Sequence, residues 1–315
     1  MHVLSLPLGQ SVEAALAAAR NIAPEAVFDQ NDLYDSGAGA CAGEECWGAQ
    51  FVSLDTGPAD ACTGAAPIAI IDTAVDLSHP SLRGARIEQA SFLTPGLSPA
   101  PPDHGTAVAA LLVGEAAPGM APLAPGARLL SAAAFAQRGE ATRADAAALI
   151  RALDWALAEG ARVVGMSIAG EHNILLGRAL DTAGRRANIV AAAGNAGPGA
   201  RAAFPAALPS VIAVSAVDRR KRAWRGGNRG PYVEFAAPGV NVASAAPDGG
   251  SQGWTGTSFA VPFAVAALLR ARGAAGGDPE AARALLVRGA EDLGAPGRDE
   301  ETGFGLIRAP GGRCR

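Results

Sequence analysis

The stretch that decides the fold is IAIIDTAVD, residues 68–76, in which an apolar run ends in the carboxylate of Asp72. An uninterrupted apolar run of this kind is typical of a strand that is buried on both faces of a parallel sheet. Open α/β sheets bind their ligands at the carboxyl ends of such strands. The sequence therefore predicts that Asp72 faces a binding or catalytic site.

Similar apolar runs alternate with helical patterns from about residue 65 onward. This alternation predicts a mainly parallel central sheet with helices on both faces, which is a three-layer α/β fold. The chain has 315 residues, 49% of them hydrophobic, and is long enough to bury such a core. Strands are predicted at 127–133, 161–168 and 210–216, and helices at 142–158, where Thr142 and Asp145 have capping-box spacing, and at 279–289 after Asp278.

Two further motifs place polar side chains at the starts of predicted helices. They are DHGTAVAALLVG, residues 103–114, and GWTGTSFAVPFAVAALL, residues 253–269. Apolar residues follow His104 at helical spacing, and Pro262 lies where a first helical turn tolerates proline. Because a helix start presents backbone N–H groups and the positive end of the macrodipole, the surroundings of Ser258 can stabilise a developing negative charge.

A fourth motif, IVAAAGNAG at residues 189–197, predicts a buried strand that runs into a glycine-flanked turn with Asn195 at its tip. The amide of Asn195 can donate a hydrogen bond to an oxyanion. Each motif alone is ordinarily a helix cap or a turn. Together, a carboxylate, an imidazole, an amide and a hydroxyl indicate a serine hydrolase.

The motifs DTAVD, HGTAVA, AAGNAG and GTSFAVP, in that order, resemble those of the subtilisin-like serine proteases, or subtilases, over residues 65–310. The resemblance implies a three-layer subtilisin-like fold and a serine endopeptidase. In that family pattern, His104 takes the proton of the Ser258 hydroxyl and Asp72 orients the imidazole. Asn195 and the backbone N–H of Ser258 then stabilise the oxyanion. This chemistry requires no cofactor.

The resemblance also assigns the substrate pocket. The backbone of 167–170 is expected to pair with an extended substrate as an added β-strand. Because no carboxylate is present among the assigned residues, apolar or small side chains are predicted before the cleaved bond. The assigned residues are Ser167, Ile168, Ala169, Gly170, Ala193, Gly194 and Ala203.

Several positions depart from the family pattern. Ala74 stands where glycine is usual, Ala107 and Phe263 replace second histidines, and Phe259 stands where methionine is usual. These departures concern the geometry around the four functional residues rather than the chemistry. An inactive subtilase-fold binding protein is the alternative interpretation. A nucleotide-binding oxidoreductase is disfavoured, because no G-x-G-x-x-G follows the first strand.

The chain before residue 65 has a different character. Its apolar start, a short helix at 11–20 capped by Ser11 and a strand-like run at 26–28 resemble the latter half of a subtilase propeptide. Such a segment would be a partner of the active site, whereas a simple N-terminal extension is the other interpretation. The predicted organisation is a partial propeptide-like segment at 1–36, a Gly/Cys-containing linker at 37–64, the catalytic domain at 65–310 and a tail at 311–315.

The resemblance implies that the partners are protein or peptide substrates and the chain's own N-terminal segment. The net charge of −4 argues against nucleic acid, and the basic cluster 219–222 is interpreted as a solvated loop. Residues 252–269 carry no charge, but their polar first part argues against a membrane span. We expect a monomer.

Four cysteines favour an oxidising compartment, periplasmic or secreted, although no signal peptide is evident in residues 1–10. Cys41 with Cys46, and Cys62 with Cys314, are plausible disulfides, but three pairings and free thiols remain open. Calcium is common in subtilases, and no carboxylate-rich loop assigns its ligands here.

Overall fold

The computed structural model describes residues 1–6, 9–35, 39–41, 66–115 and 121–310. Its strands, in chain order, are β1 Leu33–Asp35, β2 Gly39–Cys41, β3 Ile68–Asp72, β4 Ile87–Ser91, β5 Leu129–Ala133, β6 Ala136–Arg138, β7 Ala141–Asp145, β8 Val163–Met166, β9 Ala169–Gly170, β10 Asn188–Ala192, β11 Val211–Val217, β12 Val233–Pro238, β13 Val242–Ala245 and β14 Ser251–Thr255. Its helices are α1 Val12–Ile22, α2 Asp103–Val113, α3 Ala146–Ala158, α4 Ile174–Gly184, α5 Val261–Ala274 and α6 Pro279–Gly289, with short 3-10 helices at Pro80–Leu82 and Thr257–Phe259.

The central sheet has seven parallel strands in the order β12-β11-β10-β8-β3-β5-β4. The run that contains Asp72 forms β3, which pairs with β8 on one side and β5 on the other. Every residue of β3 is buried. The predicted parallel sheet, with this strand in its interior, is confirmed.

Side chains of β3 alternate between two hydrophobic cores, as the two-residue period of a strand requires. Ile68 and Ile70 pack into the core formed with α2, α5 and α6. Ala69 and Ile71 pack into the core formed with α3 and α4. Helices therefore cover both faces of the sheet, and the predicted three-layer fold is confirmed.

The strands predicted at 127–133, 161–168 and 210–216 are present as β5, β8 and β11, with ends that differ by up to two residues. The helix predicted at 142–158 instead begins at Ala146. Asp145 is its N-cap and accepts a hydrogen bond from the backbone N–H of Ala148 at 2.9 Å. The capping box at Thr142 was the wrong interpretation, because residues 141–145 form β7 between β6 and β1.

In the N-terminal segment, Ser11 caps α1 as predicted and accepts a hydrogen bond from the N–H of Ala14 at 3.1 Å. The strand predicted at 26–28 is absent, and the segment's strand is β1. A strand requires partners for its backbone groups. Residues 33–35 find such partners in β7 and β9, whereas 26–28 pair with no strand among the described residues.

The predicted disulfides lie outside the described residues, since of the four cysteines only the backbone of Cys41 is described. The domain limits also stay predictions. Within the described ranges, no single helix is both long and apolar enough to cross a bilayer; the stretch Thr257–Ala274 and α6 meet those limits only together, across a bend of 114°.

An ion pair attaches α6 to the sheet. The guanidinium of Arg283 donates from Nε to Oε1 of Glu234, on β12, at 2.6 Å and from Nη2 to Oε2 at 2.5 Å. The Glu234 side chain is only 5% exposed. Arg283→Ala leaves the Glu234 carboxylate buried without its cation. We expect this substitution to lower the free energy of unfolding, measured by urea titration, by about 2–3 kcal/mol.

Arg222→Ala is the matched control, because Arg222 makes the same two-pronged contact with Asp218 while 67% exposed. An exposed pair contributes at most about 1 kcal/mol. Equal losses in the two variants would contradict the assignment of the Arg283 pair as a buried anchor.

Candidate active site

Asp72 is the last residue of β3 and lies at the carboxyl edge of the central sheet. Its side chain is buried, at 1% exposure. Its Oδ1 accepts hydrogen bonds from the backbone N–H of Thr73 at 2.7 Å and from Nδ1 of His104 at 2.6 Å. Because a carboxylate only accepts, Nδ1 carries the proton, and the carboxylate fixes the orientation and tautomer of the imidazole.

His104 is the second residue of α2, and the glycine after it lets this helix approach the end of β3. The N–H of Gly105 donates to Oγ1 of Thr73 at 2.8 Å. A Cβ at position 105 would lie 2.5 Å from the carbonyl oxygen of Thr73, which no side chain tolerates. The glycine of the H-G-T motif is thus explained by close backbone contact.

The other imidazole nitrogen, Nε2 of His104, is buried and has no hydrogen-bond partner within the described ranges. Ser258 lies in the 3-10 helix that precedes α5 and is 1% exposed. The ring of its neighbour Phe259 lies 5.2 Å from the imidazole, centroid to centroid. Ser258, the candidate nucleophile, therefore directly precedes the residue whose ring contacts His104, the candidate base. Its hydroxyl makes no hydrogen bond with Nε2 of His104. Such bonds often form only with substrate bound.

The side chain of Asn195 is held by a residue that the sequence analysis missed. Its Oδ1 accepts from the backbone N–H of Thr257 at 2.9 Å and from Oγ1 of Thr257 at 2.7 Å. Two donors on Oδ1 make Nδ2 the donor end of the amide. The signal for this role was the threonine immediately before Ser258 in the G-T-S motif.

A cavity of about 560 Å³ lies beside these residues. Of the residues predicted for the substrate pocket, Ala193 does not line the cavity. Its backbone N–H donates to the carbonyl of Val214, and its carbonyl accepts from the Tyr232 hydroxyl behind the cavity wall. Three charged residues that the prediction did not include, Arg143, Glu171 and Arg201, also line the cavity. The predicted residues that line it are Ser167, Ile168, Ala169, Gly170, Gly194, Asn195, Ala203 and Ser258.

A row of three aromatic rings supports the base. Phe259 is fully buried and lies between His104 and Trp254, with its ring centroid 5.2 Å from each. The indole Nε1 of Trp254 donates to the carbonyl of Ala245 at 3.0 Å. Position 259, where the family resemblance implies methionine, therefore contributes a ring that packs against the imidazole.

The part of the chain that the structure describes contains no group of three or more His, Cys, Asp or Glu side chains placed to hold a metal ion. A structural calcium ion stays an unassigned expectation.

The arrangement combines a carboxylate-oriented imidazole, a neighbouring serine and an anchored amide. A model of the subtilase family matches residues 64–305, which is more than half of the chain. The chain belongs to the subtilase family. The family predicted from the four motifs is confirmed.

Two relatives of this subtilase are named as proteases. It is 37% identical over 215 residues to the thermophilic serine proteinase of Bacillus sp. (strain AK1), covering 65% of this chain and 52% of that protein. It is 33% identical over 210 residues to the minor extracellular protease Epr of Bacillus subtilis (strain 168), covering 65% and 32%. The chain thus spans about half, or less, of the length of these relatives.

A solved structure, that of the prenylagaramide maturation protease PagA, superposes on this subtilase with a TM-score of 0.67. The two are 27% identical, and the match covers 78% of this chain and 91% of PagA.

The anchoring of Asn195 can be tested through the reactivity of Ser258. Thr257→Val removes the hydroxyl that donates to Oδ1 while it preserves the shape of the residue. We expect fluorophosphonate labelling of Ser258 to slow about tenfold, because the amide loses its fixed orientation toward the developing oxyanion. Labelling rates are read by gel fluorescence over time.

Thr255→Val is the control. Its hydroxyl accepts a hydrogen bond from the backbone of Asn241 at 2.9 Å and does not bond Asn195. Equal labelling rates in Thr257→Val and in the unmodified protein would show that the hydroxyl does not position the amide.

Proposed function

We propose that this subtilase is a serine endopeptidase that hydrolyses peptide bonds through an acyl-enzyme on Ser258. The observation that carries the proposal is the 2.6 Å bond between Nδ1 of His104 and Oδ1 of Asp72. This bond keeps the proton on Nδ1, so that Nε2 has its lone pair available. The contact between the rings of His104 and Phe259, whose centroids are 5.2 Å apart, supports the proposal, because Phe259 directly follows Ser258.

Acylation follows from these groups. Nε2 of His104 takes the proton of the Ser258 hydroxyl while the oxygen attacks the carbonyl carbon of the substrate. Negative charge develops on the carbonyl oxygen, and Nδ2 of Asn195 and the backbone N–H of Ser258 are the proposed donors to it. The imidazolium is stabilised by Asp72 and returns its proton to the leaving amine as the C–N bond breaks.

Deacylation repeats the sequence with water. His104 removes a proton from a water molecule, which attacks the ester carbonyl of the acyl-enzyme. The proton then passes to the oxygen of Ser258, and a carboxylic acid leaves. The reaction consumes the peptide substrate and one water, and it regenerates the Ser258 hydroxyl and the neutral imidazole of His104.

Two substitutions test the mechanism. Ser258→Ala removes the nucleophile and should abolish both fluorophosphonate labelling and hydrolysis of a peptide ester. Asn195→Leu should leave labelling detectable but lower kcat. Loss of the matching amide in subtilisin lowers kcat by about 10²–10³, and we expect the same magnitude here. Wild-type protein that is not labelled by the fluorophosphonate and does not hydrolyse the peptide ester would instead support the alternative interpretation, an inactive subtilase-fold binding protein.

We further propose a preference for apolar or small side chains before the cleaved bond. The apolar part of the cavity wall is formed by alanine, glycine, isoleucine and leucine, and serine, threonine and asparagine also line it. The charged residues among the described ones that line the cavity are two arginines and one glutamate. An arginyl side chain therefore meets more like charge than opposite charge. A leucyl or phenylalanyl side chain gains from burial against the apolar wall.

Peptide libraries check this preference. We expect kcat/KM for leucyl or phenylalanyl peptides to exceed that for arginyl peptides by at least about tenfold. Glu171→Gln tests the one carboxylate among the described residues that line the cavity and should leave the ratio nearly unchanged. An arginyl preference that Glu171→Gln abolishes would overturn the proposal and assign selectivity to that residue.

The proposed partners are protein or peptide substrates and the chain's own N-terminal segment, which self-processing would release. Support for the second comes from β1, which lies between β7 and β9 and pairs with the backbone of Ala169 and Gly170. That edge is where an extended substrate is expected to add as a strand. A monomer that acts in the periplasm or outside the cell completes the proposal, in keeping with the extracellular location that the name of Epr states for that relative.

A further inference from the structure

The turn that carries Asn195 lies beyond the end of β10. That strand ends at Ala192, and the N–H of Ala193 still donates to the carbonyl of Val214 on β11 at 2.9 Å. Gly194 then has a φ of +110°, a conformation that favours glycine, and the chain turns. Beyond this point the backbone groups need partners other than a neighbouring strand. The position of Asn195 therefore depends on what holds the turn.

Asn228 holds this turn on both sides of Asn195. Its backbone N–H donates to the carbonyl of Gly194 at 3.0 Å. Its side-chain Oδ1 accepts a hydrogen bond from the N–H of Ala196 at 2.8 Å. Asn228 is 4% exposed, so both bonds are shielded from water. One buried residue thus fixes the residue before Asn195 and the residue after it.

The other end of the Asn228 amide holds a wall of the substrate cavity. Its Nδ2 donates to the carbonyl of Arg201 at 3.1 Å. The bonds to Ala196 and Arg201 assign the orientation of the amide, because the reverse orientation would bring donor against donor and acceptor against acceptor. Residues 200–203 line the cavity, and Asn228 lines it as well. The side chain therefore connects the turn of Asn195 to the cavity wall.

Thr257 holds the same turn through other atoms. Its hydroxyl accepts from the N–H of Gly194 at 3.2 Å and donates to Oδ1 of Asn195 at 2.7 Å. Gly194 is thus bonded to both Thr257 and Asn228. A Cβ at position 194 would lie 2.6 Å from Nδ2 of Asn228. The glycine therefore lets the amide of Asn228 approach the turn closely.

The segment that contains Asn228 is itself bonded to the turn at a second point. The N–H of Gly197 donates to the carbonyl of Gly226 at 3.0 Å. The N–H of Gly227 donates to the carbonyl of Trp224 at 3.1 Å and closes a tight turn before Asn228. Two points of attachment limit how far the turn of Asn195 can shift relative to Asn228.

We propose that Asn228 is a positioning residue that orients the oxyanion donor Asn195 and shapes the substrate cavity. The inference rests on the proposed endopeptidase function and deepens it. Asn228 acts through the backbone of Gly194, Ala196 and Arg201 rather than by contact with the reacting atoms. A displacement of about 1 Å at a catalytic group can slow a reaction about 10²-fold, so bonds that fix the backbone beside Asn195 affect kcat.

The two ends of the amide have separable effects. Asn228→Ala removes both side-chain bonds and keeps the backbone bond to Gly194. We expect kcat for a leucyl peptide to fall about tenfold, because the amide of Asn195 is less well oriented toward the oxyanion. We expect KM to rise about threefold, because the cavity wall at Arg201 is held less firmly. Steady-state hydrolysis by the full chain gives both constants.

A cycle of single and double substitutions shows whether Asn228 acts through Asn195. In an Asn195→Leu background the donor is already removed, so Asn228→Ala should lower kcat by less than about twofold. The rise in KM should remain, because it depends on Arg201 and not on Asn195. A tenfold loss of kcat in both backgrounds would overturn the inference, since Asn228 would then act independently of the oxyanion donor.

Asn188→Ala is the matched control. Asn188 is the first residue of β10, at the other end of the strand from the turn of Asn195, and is 5% exposed. Its Nδ2 donates to the carbonyl of Pro279 at 3.0 Å, and its Oδ1 accepts from Nη1 of Arg272 at 3.0 Å. Each alanine variant thus loses one donated and one accepted side-chain bond, and both should lower the Tm. Only Asn228→Ala should change kcat and KM.

An equal loss of kcat in Asn188→Ala would assign the effect to general loss of stability and contradict the inference. Circular dichroism checks that each variant is folded. Where Asn228→Ala does not fold, Asn228→Ser takes its place in the same cycle, because serine keeps a polar group in the buried space but is too short to bridge Ala196 and Arg201 as the amide does.

Activity of the unmodified protein separates the inference from the proposed function. Wild type that hydrolyses the peptide, with kcat unchanged in the Asn228 variant, overturns the inference and leaves the proposed function intact. Wild type that is not labelled by the fluorophosphonate and does not hydrolyse the peptide overturns both.

Discussion

Parallel pairing of β3 with β8 and β5 is the constraint on which the site depends. Parallel strands end at the same edge of the sheet, so residues that follow them meet although they are distant in sequence. Asp72 ends β3, Ser167 follows β8, and Asn195 follows β10 by three residues. The start of α2 adds His104, and the 3-10 helix before α5 adds Ser258, at the same edge. The functional groups are therefore brought together by the sheet rather than by local contacts.

The same edge of the sheet has to accommodate the carboxylate of Asp72 away from solvent. The side chain of Asp72 is almost fully buried, and an unpaired carboxylate in that position would be costly. The backbone N–H of Thr73 and Nδ1–H of His104 offset this cost at Oδ1. Because Gly105 lets α2 approach β3 closely, the pairing that orients the imidazole is also part of the packing between helix and sheet. Stability and chemistry share these contacts.

Sequence patterns predicted the features that depend on local order. The apolar run of β3, the cap of α1 by Ser11 and the four motifs needed no knowledge of distant partners. Features that depend on distant partners were missed. Residues 141–145 resemble a helix start until β1 and β6 pair with them. The support of Asn195 by Thr257, and the position of Ala193 behind the cavity wall, follow from turns whose geometry is set by neighbouring strands.

The ring of Phe259 beside the base has a consequence for durability. A thioether next to a nucleophile is converted by peroxide into a polar sulfoxide, which disturbs the packing around it. Phe259 is fully buried against His104 and carries no sulfur. Phe259, which follows Ser258, is thus inert to the oxidants that modify methionine. Peroxide has no sulfur to oxidise at that position.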